Sequence, residues 1–125
     1  MRQWHVDPRL LCRKHLLGEH VEHHMFTASL GRRSLWGYVR RGLLDPESLG
    51  ARHDELAEEM LQRGYRHASP LAQPELPAEL QGVDSLVDSA ANLVELARRC
   101  PACRRIIRAS VRFRLTSSKL SDRLG

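Results

Sequence analysis

The segment from Cys12 to Phe26, CRKHLLGEHVEHHMF, carries His15, Glu19, Glu22 and His23 at positions i, i+4, i+7 and i+8. That spacing is one stripe of an α-helix. Carboxylates and imidazoles crowded along a stripe repel one another, compete for protons or share a ligand, so the stripe is a candidate site. It also begins only a few residues from the chain's first amine. A primary amine beside a buried carboxylate is a nucleophile with its proton acceptor.

Working outward, Asp7 is a good N-cap and Pro8 suits a first helical turn, so a long first helix is expected from about Pro8 to Ala28. Leu10, Leu11, Leu16, Leu17, Val21 and Met25 supply its apolar positions. Gly18, in its middle, is explained by close packing or by a ligand's approach, because Gly costs about 1 kcal/mol against Ala there. Gly31 ends the segment, and SLWGYVRRGLL (34–44) reads as a short helical or turn-rich stretch. A second helix is expected from Pro46 or Leu49 to Arg63, with Ala51, Leu56, Met60 and Leu61 inward and Gly64 as its stop. Pro70, Pro74 and Pro77 mark a loop. Asp84 is expected to cap a third helix, built on Leu86, Val87, Ala90, Leu93, Val94 and Ala97 and ending near Cys100 and Pro101. The architecture expected is all-α: a single compact domain of three main helices with irregular connections. Residues 1–107 form that domain and 108–125 a basic, partly flexible tail.

Of 125 residues, 42% are hydrophobic and 28% charged, ordinary for one globular domain. No apolar run reaches the roughly 18 residues a membrane span needs, and the first residues lack a secretory signal, so the expected location is the cytoplasm. Twenty Lys and Arg against fifteen Asp and Glu leave a net charge of +5. Only Lys14 and Lys119 are lysines, and arginine's planar fork suits phosphate. The chain is therefore a candidate polyanion binder, although a G- and C-rich genome gives the same arginine bias.

Cys12 and His15 are spaced C-x2-H, and Cys100 and Cys103 form C-x2-C near the other end. Four such ligands can build a tetrahedral structural zinc site joining the first and third helices; buried packing is the alternative reading. The zinc reading commits His15 to structure.

Three pieces of the chain resemble the pyrimidine-dimer DNA glycosylase family, the phage-type ultraviolet endonucleases. They are the first helix with its His15–Glu19–Glu22 spacing; the helix through ARHDELAEEMLQRGY, with Arg52, Glu55, Leu56, Arg63, Gly64 and Tyr65; and the HASPL turn with the late amphipathic helix. The likeness covers about the first 70 residues well and the next 30 loosely. It implies a small all-α, monomeric enzyme that acts on double-stranded DNA with a damaged base. Such an enzyme is a DNA N-glycosylase and abasic-site lyase, working through a Schiff base of its N-terminal amine without metal or other cofactor. The family's essential glutamate falls on Glu22, and its nucleophile position falls on Met1, which is retained before the large Arg2. An α-amine, with an ordinary pKa near 7.7 to 8.0, is easier to deprotonate than a lysine.

The resemblance makes Met1 and Glu22 catalytic, with His15 and Glu19 in support. Arg2, Arg13, Lys14, His20, His23, Arg40 and Arg41 are the expected DNA contacts. Val21 and Met25 stand where the phage type has DNA-gripping arginines, which leaves the lesion open. Two other classes compete: a non-enzymatic, zinc-braced DNA-binding module, and a metal-dependent hydrolase built on the histidine-rich helix. The absence of an HExxH motif counts against the last.

Overall fold

A computed structural model describes residues 1–67 and 69–111. It holds α1 (Arg13–Ser29), α2 (Trp36–Arg40), α3 (Leu49–Gln62), α4 (Ser89–Arg99) and a further helix, α5, over residues 101–111. Single 3-10 turns lie at Pro8–Leu10, Pro46–Ser48 and Ala78–Leu80. Among the described residues there is no strand, and no helix is long and apolar enough to cross a membrane. The expected tail lies outside the described residues from 112 onward, while residues 108–111 continue α5.

The first helix does not run unbroken from Pro8. Asp7 does cap a turn there, accepting from the Arg9 amide at 3.0 Å, but Leu11 is extended and α1 starts only at Arg13. The cause comes from the end of α3. The Arg63 guanidinium takes the carbonyls of Pro8 and Leu11 at 3.1 and 2.7 Å, competing with continuation of the helix through them. Asp88, not Asp84, caps α4, accepting from the Ala91 amide. Cys100 is extended, as a residue before proline prefers, and this parts α4 from α5.

Two apolar clusters hold these elements. One joins Trp4 and Val6 of the N-terminal segment to Leu11, Leu16, Leu56, Met60, Leu96 and Cys103. The other gathers Phe26, Leu35, Val39, Leu44, Leu49, Leu76 and Leu80. Helix α1 runs from the first cluster to the second, and α3 runs back, so the two are antiparallel. Between the clusters along both helices lies a polar band: Glu19 and His23 on α1, Arg52 and His53 on α3, all buried. The inward face of α3 is therefore more polar than its leucine spacing suggests, and Ala51 and Leu61 face outward. On α4, Leu96 and Asn92 are the buried residues, whereas Val94 is exposed, as is Leu86 in the preceding segment.

Candidate functional site

Residues 1–7 fold back along α1. The Gln3 amide donates to the Leu43 carbonyl at 2.7 Å, and its side chain reaches His23, Ser48 and the Asp45 amide. Val6 and Trp4 are tied by their carbonyls, to Arg52 at 2.7 Å and to the Asn92 amide group at 2.8 Å. This arm delivers the start of the chain to the third turn of α1. There the Arg2 backbone N–H donates to Glu22 Oε2 at 3.1 Å. On standard backbone dimensions the Met1 amine lies within about 7 Å of that oxygen. Met1 and Glu22 are both half-buried.

Glu19 has a different fate. Its side chain is 0% exposed and Arg52 grips it with two parallel bonds of 2.7 and 2.9 Å. It touches neither an imidazole nor the arm's amide with its carboxylate. Burial alone lowers the Arg52 pKa, but the hydrogen bonds and charge of Glu19 outweigh it and raise it. Glu19 is thus a structural partner of α3, three residues from the carboxylate at the arm.

His15 turns toward thiols. Its Nδ1 lies 3.2 Å from Cys12 Sγ and 3.6 Å from Cys103 Sγ, while Cys12 Sγ and Cys100 Sγ are 3.9 Å apart. The four ligand atoms all fall within 4.8 Å of one another. A tetrahedral zinc with Zn–S near 2.3 Å and Zn–N near 2.0 Å sets S···S at about 3.8 Å and S···N at about 3.5 Å, so the residues fit that ion. Backbone N–H groups point at two of the sulfurs: Cys12 at Cys103 Sγ, 3.3 Å, and Cys103 at Cys100 Sγ, 3.4 Å. Burial pushes the Cys103 thiol up to about 12. Cys100 is also raised by burial, but hydrogen bonds from Cys103 and Cys12 overcome this and bring it down. His15 also meets the Trp4 ring edge-on, linking the quartet to the arm.

The expected DNA contacts divide. Arg13, Lys14, Arg40 and Arg41 are exposed, Arg13 with its guanidinium over the Tyr65 ring. Arg2 is half-buried, bonded to Asn92 Oδ1 at 2.6 Å and stacked on Trp4 at 3.8 Å. Burial, then the charge of Arg99, lowers its pKa. His23 is fully buried: its Nε2 accepts from Gln3 at 3.0 Å and its Nδ1–H donates to the Glu19 carbonyl at 2.8 Å. Burial holds it neutral, with a pKa of about 4. His20 is buried among other imidazoles, and burial first, then their charges, likewise lower it to about 4. Neither histidine offers a cation to phosphate, because both are buried and both resist protonation. Beside Glu22, the outer face of α1 instead presents Lys14, Gly18, Val21 and Met25.

Sequence reasoning missed Gln3, Asn92 and the pairing role of Arg52. Asn92 left one trace, a polar residue four positions before the buried Leu96 on the apolar face of α4. Gln3 left none. A family model described as pyrimidine dimer DNA glycosylase matches residues 1–73. No curated protein and no solved structure matches the chain.

Proposed function

The chain belongs to the pyrimidine dimer DNA glycosylase family, and from that premise we propose that it excises pyrimidine dimers or related damaged bases from duplex DNA and then cleaves the abasic strand. The damaged nucleotide is extruded, since its anomeric carbon is hard to reach in the stack. The neutral Met1 amine attacks C1′, and the glycosidic electron pair leaves with the base. Glu22 accepts the proton that the nitrogen sheds and returns it to O4′ as the sugar ring opens to the Schiff base, which leaves the carboxylate ionised again. The same carboxylate then assists removal of the 2′ proton, the 3′ phosphate departs by β-elimination, and water hydrolyses the imine. The observation that carries this reading is the Arg2 N–H bond to Glu22, which keeps the first residues at the carboxylate. Arg13, Lys14, Arg40 and Arg41 are the proposed phosphate contacts, being exposed cations. Glu19 supports the site through Arg52, and His15 through the arm. The proposal also assigns a structural zinc to Cys12, His15, Cys100 and Cys103, with no step of the chemistry passing through it.

The test uses untagged protein, its intact mass confirming Met1, on duplexes that are undamaged, abasic or carry one thymine dimer, with borohydride present. A dimer-dependent adduct mapped to Met1 and lost in Glu22→Gln supports the proposal. Trapping on the abasic duplex alone reduces it to a lyase, and no adduct on either overturns it. The quartet's geometry favours one rival, a zinc-braced DNA-binding module. That module keeps salt-sensitive DNA binding and all function in Glu22→Gln.

A further inference from the structure

A second group of ligating side chains lies away from both sites described. His20 and His24 of α1, His53 of α3 and His67 of the loop after α3 pack their rings with centroids 4.8 to 5.2 Å apart. One nitrogen from each of His20, His24 and His53 falls within 4.8 Å of the others. His67 Nε2 faces His20 Nε2 at 2.9 Å. We propose that these four histidines hold a divalent transition-metal ion, zinc being the probe of choice, and that the ion pins the loop carrying His67 to the α1–α3 pair.

Three features argue for an ion over packed rings. The first is an orphan: His24 Nε2 is buried and has no hydrogen-bond partner among the described residues. A buried imidazole nitrogen without one is unfavourable, and a metal satisfies it. The second is the His20–His67 pair, where one proton at most lies between two facing nitrogens; an ion there replaces that single proton and engages both lone pairs. The third is an orienting carboxylate. Asp54 Oδ1 accepts from His53 Nδ1 at 3.0 Å, the arrangement that fixes ring and tautomer when the other nitrogen binds a metal. His53 Nε2 meets the Ser69 carbonyl at 3.0 Å, and coordination exchanges that contact for the ion.

The donor chemistry names the ion class. Imidazole nitrogens without thiolates or first-rank carboxylates suit zinc, copper, nickel and iron, and disfavour magnesium and calcium. His20 and His24 each stand two positions from Glu22, about 200° around α1, so the ion sits on the face of the helix away from the proposed reaction. Its role is therefore that of a brace, and the inference does not depend on the glycosylase reading.

Full-length protein, its histidine-tag-free form stripped with chelator, is titrated with Zn2+ and weighed by native mass spectrometry. The readout is the difference between the wild type and two variants, His24→Ala and His67→Ala. Each variant is expected to bind one equivalent fewer, whatever the thiolate quartet takes up. Hydrogen exchange over residues 64–71 is expected to slow on Zn2+ addition in the wild type and not in either variant. Metal-free thermal unfolding shows which variants keep the fold, and His67, on a loop and half-buried, is the gentler change. Equal stoichiometry in the wild type and a folded variant overturns the proposal, as does unchanged exchange in the wild type.

Discussion

The buried pair Glu19–Arg52 makes the sharpest prediction about what holds the arm in place. Changing Arg52 to Met removes two bonds to Glu19, one to the Val6 carbonyl and one to Glu55. It leaves the carboxylate of Glu19, 0% exposed, without its counter-ion. Breaking one side of such a pair costs about 3–5 kcal/mol, a large part of the 5–15 kcal/mol that separates a folded domain from its unfolded chain. Glu19→Leu falls at the lower end of that range, because the guanidinium keeps Val6 and Glu55. The double variant Glu19→Leu/Arg52→Met buries no charge at all. What remains is the unpaired Val6 carbonyl, about 1–3 kcal/mol. The two changes are therefore expected to be strongly non-additive, the double variant costing at least about 2 kcal/mol less than the sum of the singles.

Urea unfolding, followed by the fluorescence of the buried Trp4, measures all three. Single-variant costs below about 1 kcal/mol, or costs that add to within about 0.5 kcal/mol, refute the reasoning. The double variant has a second use. It restores most of the stability but not the bond to Val6, so it isolates the arm. Borohydride trapping on abasic DNA should stay slower than wild type even where the double variant is fully folded. Trapping at the wild-type rate would mean that Arg52 stabilises the fold without positioning the amine.

Removing metal with a strong chelator is expected to lower the thermal midpoint, by the equivalent of about 2.7 kcal/mol if zinc stood at a hundred times its Kd. Added Zn2+ should restore the midpoint fully in the wild type but only in part in Cys100→Ser, which keeps the histidine group. Burial, then the charge of Arg52, lowers the pKa of His5 from 6.5, so the unfolded chain binds that proton more readily than the folded one. Unfolding free energy should thus fall as pH drops through 6.5, with a shallower slope in His5→Asn, which tolerates the residue's positive φ. Gly18→Ala should stabilise α1 by about 0.5–1 kcal/mol in urea unfolding, because a Cβ there meets nothing within 4 Å. Among the described residues, that open space gives no close packing as the reason for glycine, and a ligand's approach on the Glu22 face is the reading kept. The same variant should bind abasic duplex more weakly.

Much of the fold was legible where the signal is local. The α1 stripe, the Gly64 stop and the proline loop all follow from neighbouring residues. The break at Leu11 was not, since its cause, Arg63, acts from 52 residues away. The α4 start was misplaced because Asp84 and Asp88 cap equally well in isolation, and only packing shows that the helix begins after the second. The thiolate quartet was legible because each half carries its own short spacing. The four-histidine group was not, because it draws on three separate elements and only His20 and His24 share a helical spacing.

The two glutamates of the first stripe show where sequence spacing runs out. Glu19 and Glu22 sit one turn apart on the same helix, and nothing in their neighbours separates a catalytic carboxylate from a structural one. Their partners do. Glu19 meets a guanidinium fixed by α3, so its charge is matched and its oxygens are engaged before any substrate arrives. Glu22 meets a backbone N–H, a neutral donor, while the Arg2 guanidinium is drawn aside to Asn92 and the Trp4 ring. Both oxygens of Glu19 are taken by the guanidinium, whereas Glu22 receives one amide N–H on a single oxygen and keeps lone pairs free for a reacting group. On the proposed reading, the difference between the two glutamates is set by the arm and by α3, both fixed by contacts far apart in sequence.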